Sequence, residues 1–183
     1  MQFIKQKISE IVLIKPTIHG DDRGYFVETF RQNLFEEAIG YKVSFVQDNE
    51  SKSTKGVLRG LHYQLPPYTQ AKLVRVLEGS VLDVAVDIRK SSPTFGQHVA
   101  VELTGENKHQ LFVPHGFAHG FVVLSDSATF AYKVDNYYAP EHDRGIAFDD
   151  IKLKINWQLP IELLKLSVKD QNLPTLIKIK SPF

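Results

Sequence analysis

The chain has 183 residues, of which 43% are apolar and 23% charged, and its net charge is +1. These values predict a single globular domain over residues 1–183 that can bury its own core. Cysteine is absent, which excludes disulfides, thiolate metal sites and a cysteine nucleophile, and no basic run suggests a nucleic-acid partner.

Short β-branched segments between turn residues dominate the chain and predict strands. In chain order, the predicted strands cover residues 10–16, 24–30, 44–51, 57–64, 71–79, 81–89, 98–104, 109–114, 119–125, 128–135 and 152–157. Short helices are predicted over residues 31–40, where Gly40 provides a stop, and over residues 159–167. The pattern predicts an all-β jelly-roll, a double-sheet barrel with a few short helices, whose mouth is the usual place for a small-molecule site.

The first residues, MQFIKQKISEIVLI, contain neither a long apolar stretch nor a cleavage site with small residues. No other segment approaches the roughly 18 apolar residues that a membrane helix needs. We therefore expect a soluble protein with a cytoplasmic location, which the absence of cysteine also suits.

Polar residues interrupt the apolar tract at residues 56–79. Arg59 and His62 are three residues apart, so on a regular strand they would face opposite sides. Gly60 lies between them, and a glycine inside a strand often marks a bulge that re-aims side chains. With a bulge, both side chains face the barrel interior. After the turn LPPYT, Lys72 enters the next strand on the same face as Val74.

Two further segments place polar groups on apolar strands. His119 begins the strand that follows the turn in PHGFAHGF, and Tyr132 shares a face with Phe130 and Val134. Taken singly, an inward histidine or tyrosine is usually a core residue with its hydrogen bonds satisfied. Several ionisable groups inside one small barrel are costly to bury without a function, so together they indicate a site.

A metal site is the first alternative, because the tracts GLHYQ…EG and PHGFAHGF look like the two halves of a cupin motif. A metal-binding cupin usually offers H-x-H, then a glutamate and a later histidine. Here Gln64 occupies the position of the second histidine, and Glu78 comes late, beside a turn glycine. Only His62 and His119 remain as good ligands, too few for a catalytic site with three protein ligands. Metal-free acid–base chemistry is therefore favoured.

Longer tracts resemble a known family: GVLRGLHYQ, KLVRVLEGSVLDVAVDIRKSSPTFG, PHGFAHGFVVLS, YKVDNYYAPE and DRGI. They are similar to the dTDP-4-dehydrorhamnose 3,5-epimerases, the RmlC family of nucleotide-sugar epimerases in the cupin superfamily, from about Arg23 to Asp170. The resemblance implies an isomerase of dTDP-L-rhamnose biosynthesis that needs no cofactor. It would invert C3 and C5 of dTDP-4-dehydro-6-deoxy-D-glucose, giving dTDP-4-dehydro-L-rhamnose, by removing protons next to the C4 ketone.

The resemblance also implies four catalytic residues. His62 matches the general base, since an imidazole titrates near neutral pH, and Asp170 matches its carboxylate partner. Lys72 matches a cation near the C4 oxygen, where the enolate charge develops. Tyr132 matches the acid that delivers a proton on the other face.

Substrate-binding residues carry over in the same way. Arg59 and Lys169 match diphosphate and sugar contacts, for which the arginine fork is suited, and Tyr138 matches a ring stacked on thymine. Asp143 occupies a position where the family usually has glutamate. The full implied set is Arg23, Phe26, Glu28, Gln47, Asp48, Asn49, Arg59, Lys72, His119, Tyr138, Asp143 and Lys169.

The implied arm from Arg23 to Glu28 reaches into the neighbouring subunit's site in this family, so the resemblance implies a homodimer to which the N-terminal strands contribute. Three alternatives remain open. The first is a single-centre epimerase that acts at C3 or C5 of a dTDP-4-keto sugar. The second is a metal-dependent cupin enzyme, and the third is a non-catalytic module that binds sugars or nucleotides.

Overall fold

The computed structural model describes residues 1–179 and 181–183, and within them it contains thirteen strands, two α-helices and three 3₁₀ turns. The strands are Gln2–Lys5 (β1), Val12–Lys15 (β2), Ile18–Asp21 (β3), Gly24–Val27 (β4), Gln47–Thr54 (β5), Leu58–Gln64 (β6), Lys72–Glu78 (β7), Ser80–Asp87 (β8), His98–Thr104 (β9), Gln110–Val113 (β10), Phe117–Val123 (β11), Ser127–Val134 (β12) and Asp143–Gly145 (β13). The helices are Gln32–Ile39 (α1) and Val168–Gln171 (α2), and the 3₁₀ turns are Pro140–His142, Ile161–Leu163 and Leu176–Lys178.

Two antiparallel sheets face each other. The six-stranded sheet has the order β1-β2-β10-β7-β12-β5, and the five-stranded sheet has the order β13-β6-β11-β8-β9. Strands β3 and β4 form a separate hairpin. The prediction of an all-β jelly-roll double sheet with a few short helices is confirmed.

The core has one layer between the sheets and one on the outside of each sheet. The inner layer includes Phe121 of the five-stranded sheet and Phe130 of the six-stranded sheet. The outer face of the five-stranded sheet is covered by the C-terminal segment, with Trp157 buried there. Helix α1 covers the outside of the six-stranded sheet through Phe35. Strands β8 and β11, inside the five-stranded sheet, are therefore buried on both faces.

The predicted helix over residues 31–40 is confirmed as α1. It ends at Gly40, which adopts the left-handed conformation with φ of 85° and donates its N–H to the Glu36 carbonyl. This conformation suits a residue without a Cβ atom.

The sequence predictions fail in the C-terminal segment. Residues 152–157 form no strand, because Leu153 and Trp157 pack against the five-stranded sheet while Lys154 turns the chain at a φ of 49°. The helix predicted over residues 159–167 is reduced to the 3₁₀ turn Ile161–Leu163. Elsewhere in the chain, the short strands β1, β3 and β13, of three or four residues each, were not predicted.

In the part of the chain that the structure describes, none of the helices is both long enough and apolar enough to cross a membrane.

Candidate active site

A cavity of about 600 Å³ opens between the two sheets, and β5, β6, β7, β11, β12 and the segment before α2 contribute to its walls. Eight of the predicted site residues line it: Asn49, Arg59, His62, Lys72, His119, Tyr132, Lys169 and Asp170. All four predicted catalytic residues are among them.

A bulge in β6 brings Arg59 and His62 to this cavity. His62 pairs with His119 and Arg59 pairs with Phe121, so β6 has two residues in the interval where β11 has one. Gly60 adopts a φ of 129°, and a Cβ atom built there would lie 2.6 Å from the Cα of Gly120. The predicted bulge is confirmed, and its two facing glycines allow the strands to approach closely.

His62 forms a pair with Asp170 of α2, and 2.6 Å separate its Nε2 from the carboxylate Oδ1. The Asp170 side chain is 5% exposed, and its backbone N–H donates to Ser167 Oγ at the helix N-cap. Burial acts to raise the pKa of Asp170, but the hydrogen bonds from His62 and Ser167 outweigh it, so the pKa is lowered. An ionised Asp170 fixes the imidazole orientation and stabilises its protonated form.

Tyr132 and Lys72 approach the cavity from the opposite sheet. His62 belongs to the five-stranded sheet, whereas β7 and β12 are neighbours in the six-stranded sheet. Burial is the main cause that raises the pKa of the Tyr132 phenol; Asp143 adds to this effect and Arg59 opposes it. The phenol is therefore a protonated group that faces an imidazole across the cavity.

Lys72 carries its ammonium into the same space. Burial lowers its pKa from 10.5 to about 8, although the carboxylates of Asp143 and Asp83 act in the other direction. A poorly solvated cation is well suited to stabilise negative charge that develops on a bound molecule, because the interaction is screened less than in water.

A second histidine–carboxylate pair adjoins the cavity, which His119 lines. Both carboxylate oxygens of Asp83 lie 2.9–3.0 Å from His119 Nε2, and the Asp83 side chain is fully buried. Next to this pair, the Phe121 and Phe130 rings stack with centroids 4.1 Å apart. Asp83 was not predicted as a site residue, although an aspartate on an apolar strand face signals a buried partner.

The outer part of the cavity is cationic. Arg59 is held by two hydrogen bonds to Ser53 Oγ, each of 3.2 Å, and Lys165 and Lys169 also line the wall. Lys169 pairs with Asp143, and the Tyr138 hydroxyl donates to the same carboxylate oxygen at 2.9 Å. Asp143 and Tyr138 lie beside the cavity and not among its lining residues, in an arrangement suited to a ligand that extends outwards.

Five predicted binding residues are not brought to the cavity of their own chain. Arg23 and Phe26 lie on the β3–β4 hairpin, where Arg23 pairs with Asp21 and the Phe26 residue is 70% exposed. The side chains of the other three contact nearby residues instead: Glu28 binds Arg31, Asp48 binds Lys133 and Gln47 donates to Asn49.

Neither Gln64 nor Glu78 lines the cavity. Glu78 lies at the end of β7, where it is exposed and 3.9 Å from Lys52. In residues 1–179 and 181–183, no three His, Asp or Glu side chains are grouped so that they could hold a metal ion. Metal-free chemistry stays a prediction.

Sequence reasoning missed nine lining residues, which lie on β5, at the start of β6, on β11 and β12, and in the segment before α2. The missed residues are Glu50, Ser51, Val57, Leu58, Phe121, Phe130, Lys165, Leu166 and Ser167. One signal was available: Ser167 precedes Asp170 by three residues, the spacing of a helix N-cap followed by an acidic residue. That spacing predicts the short helix that carries Asp170.

A jelly-roll cavity with a histidine–aspartate pair on one sheet, and a phenol and an ammonium on the other, is typical of a cupin-like enzyme and is suited to acid–base chemistry. The chain belongs to the dTDP-4-dehydrorhamnose 3,5-epimerase family, whose model matches residues 5–178. The predicted family membership is thereby confirmed.

Relatives of high identity cover nearly the whole chain. The dTDP-4-dehydrorhamnose 3,5-epimerase of Shigella flexneri is 58% identical over 172 residues, which are 94% of each chain. Among solved structures, a dTDP-6-deoxy-D-glucose-3,5-epimerase from Legionella pneumophila, in complex with dTDP-4-keto-L-rhamnose, is 53% identical with a TM-score of 0.93. That comparison covers 97% of this chain and 94% of the other.

One solved structure of lower identity comes from an enzyme that inverts a single centre. A 3′-monoepimerase from Streptomyces bikiniensis, in complex with dTDP-quinovose, is 36% identical with a TM-score of 0.86. The comparison covers 94% of this chain and 86% of the monoepimerase chain. The same fold therefore occurs in enzymes that differ in how many centres they invert.

Proposed function

We propose that the protein is a dTDP-4-dehydrorhamnose 3,5-epimerase, an isomerase that converts dTDP-4-dehydro-6-deoxy-D-glucose into dTDP-4-dehydro-L-rhamnose. The observation that carries this proposal is the opposition of His62 and Tyr132 across one cavity, with Lys72 beside it. Inversion of a carbon centre requires a proton to leave one face and another to arrive at the opposite face, and two groups on facing sheets supply this arrangement.

In the proposed mechanism the His62 imidazole takes the proton from the carbon next to the C4 ketone, and the C–H electron pair forms an enolate. The nitrogen bound to Asp170 keeps its proton, and because this carboxylate is ionised it stabilises the imidazolium. Nε2 is the nitrogen that faces Asp170, so Nδ1 is the atom that accepts the substrate proton. The Lys72 ammonium stabilises the enolate oxygen.

Tyr132 completes the step by donating its phenolic proton to the opposite face of the same carbon. The raised pKa keeps the phenol protonated until the enolate is present. The His62 imidazolium then releases its proton to solvent and the Tyr132 phenolate takes one up, which restores both groups. The same sequence at the second carbon gives the doubly inverted product. Each step moves only protons, so it balances without an oxidant, a reductant or a metal ion.

The outer part of the cavity supplies the groups that bind the substrate. The guanidinium of Arg59 and the ammonium of Lys169 suit diphosphate and sugar oxygens. His119, held by Asp83, supplies a further polar contact to the sugar. The exposed ring of Tyr138 is suited to stack on the thymine base.

We further infer a homodimer in the cytoplasm. Arg23 and Phe26 lie on the β3–β4 hairpin and Glu28 directly follows it, and none of the three lines the cavity of its own chain. A second copy that inserts its hairpin beside Gln47, Asp48 and Asn49 would add these side chains to the nucleotide end of the site. Molar mass by light scattering, and loss of dTDP affinity in Arg23→Ala, test this inference; a fully active monomer would refute it.

The test of the activity is solvent exchange. In deuterated water the enzyme is expected to introduce deuterium at both C3 and C5 of dTDP-4-dehydro-6-deoxy-D-glucose, with no loss of rate after treatment with a chelator. Exchange at neither carbon would refute the proposal, and activity that depends on bound metal would favour a metal-dependent cupin enzyme.

A single-centre epimerase is the second candidate, favoured by the structural similarity to the 3′-monoepimerase. It predicts exchange at one carbon only. A non-catalytic binding module predicts that His62→Ala keeps the biological role intact, whereas we expect that variant to lose turnover and to retain dTDP binding.

A further inference from the structure

Gln64 is a buried polar residue for which neither catalysis nor direct substrate binding accounts. It ends β6, two residues after His62, and only 4% of its surface is exposed. A buried amide is costly unless its donors and acceptor are bound. Gln64 therefore has a specific set of partners, and these partners indicate what the residue does.

All three partners of the Gln64 amide are backbone groups of two loops. Nε2 donates to the carbonyls of Tyr68, at 2.6 Å, and Tyr137, at 3.2 Å. Oε1 accepts from the Ala139 N–H at 2.7 Å. Two carbonyls and one N–H surround the amide, so only one orientation satisfies it.

The two partners in the second loop flank Tyr138. The Tyr137 carbonyl and the Ala139 N–H fix the backbone on both sides of this residue, while its hydroxyl donates to Asp143. Asp143 pairs directly with Gln64 in the β13–β6 ladder. The Tyr138 ring, which is more than half exposed, is thus held at its backbone and at its tip.

Other hydrogen bonds that join the same loops start from residues of the loops themselves. Gln70 Nε2 donates to the Asn136 carbonyl at 2.8 Å, and Asn136 Nδ2 donates to the Pro67 carbonyl at 3.1 Å. The bond from Asn136 to Pro67 is exposed, so water competes with it. Gln64 is the connection that reaches the second loop from the catalytic strand itself.

We propose that Gln64 is a positioning residue that sets the Tyr138 ring in place for the base of the nucleotide sugar. This inference rests on the proposed function. Gln64 touches no substrate, and it acts through the backbone on either side of Tyr138. Only a primary amide has the required two donors and one acceptor, because a carboxylate in its place cannot donate and an apolar side chain leaves three backbone groups unpaired.

The test compares binding with turnover in Gln64→Met and Gln64→Glu. We expect the Kd for dTDP and the KM for the sugar nucleotide to rise roughly tenfold, because ordering the ring then opposes binding. The kcat is expected to change by no more than about twofold, because His62, Lys72 and Tyr132 keep their positions. Folding of both variants is checked by near-ultraviolet circular dichroism. If Gln64→Met does not fold, the test rests on Gln64→Glu, whose side chain is nearly equal in size to glutamine.

Ser92→Ala is the matched control for a general loss of stability. Ser92 Oγ donates to the buried carboxylate of Asp87 and accepts from the Thr94 N–H, and it does not line the cavity. This variant is expected to be less stable and to bind dTDP as tightly as the unsubstituted enzyme.

A double substitution separates positioning of Tyr138 from other effects. If Gln64 acts through that ring, Gln64→Met combined with Tyr138→Ala binds dTDP no more weakly than Tyr138→Ala alone. Unchanged dTDP affinity in a folded Gln64 variant, additive losses in the double variant, or a kcat that falls as much as KM rises would each overturn the inference. Failure of the proposed function is a different result, since it is the absence of deuterium exchange in the unsubstituted enzyme.

Discussion

Replacement of Lys72 by methionine is expected to abolish turnover and at the same time to stabilise the fold. The ammonium lies in a desolvated position between the sheets, and its pKa is lowered from 10.5 to about 8 chiefly because burial disfavours the charged form. Methionine fills a similar volume without a charge, but it offers nothing to the enolate oxygen. Stability and activity should therefore change in opposite directions.

The magnitude follows from the pKa displacement. A shift from 10.5 to about 8 corresponds to about 3 kcal/mol at 1.36 kcal/mol per pKa unit. The unfolded chain binds more protons than the folded chain between these two pH values, so the stability of the unsubstituted protein rises with pH in that window. The advantage of Lys72→Met is thus complete below about pH 8 and disappears above about pH 10.5.

Urea denaturation at pH 7 and at pH 10 measures this difference. The exposed residue Lys152 provides the control, since Lys152→Met removes an ammonium that water already solvates. Two results would refute the inference that Lys72 buries a charged ammonium. One is a Lys72→Met protein that is no more stable than the unsubstituted protein at pH 7, and the other is a gain in stability that is equal at both pH values.

Four further predictions concern catalysis and binding. The kcat/KM, which reports on the free enzyme, should fall as the pH rises through about 8, since Lys72 loses its proton there; an unchanged rate up to pH 10 would contradict this. Asp170→Asn should lower kcat by at least about a hundredfold with dTDP affinity unchanged in calorimetry, and a small effect would mean that the carboxylate does not support His62. Tyr132→Phe should still exchange substrate protons with deuterated water from the His62 side but should fail to invert the carbon by nuclear magnetic resonance, and full inversion would exclude it as the acid. Asp143→Asn should raise KM about fivefold, because Lys169 loses an ion pair, while the exposed Asp126→Asn should not; equal KM values in the two variants would count against the role of Asp143.

Strand periodicity made the fold class predictable, as β8 illustrates. Its even-numbered side chains Leu82, Val84 and Val86 pack in the outer layer, and the odd-numbered Val81 and Ala85 pack between the sheets. The alternation predicted these two faces because successive side chains of a strand point to opposite sides. The C-terminal segment was not predictable in this way, since it is irregular and its form depends on the sheet surface that it covers.

The partners of the site residues were less accessible to sequence reasoning. Gly60 predicted a bulge because a glycine in a strand is a local signal. The Asp83–His119 bond joins strands 36 residues apart, and Gln64 was interpreted as the replacement of a metal ligand, whereas its amide binds loop backbone. Local spacing does not reveal such partners, because they depend on which strands become neighbours.

The sequence by itself determined the alternating strands, the family tracts and the residue types of the chemistry: an imidazole, a phenol, an ammonium and the cations that suit a diphosphate. The pairing of His62 with Asp170, 108 residues away, and the position of Tyr132 on the opposite sheet follow from the tertiary structure; the residue pattern gave neither, and only the family resemblance implied them. The period of a strand fixes the face of the sheet on which a side chain lies. The residues that lie opposite that face depend on the order of the strands in the sheets, and this order results from packing of the whole chain.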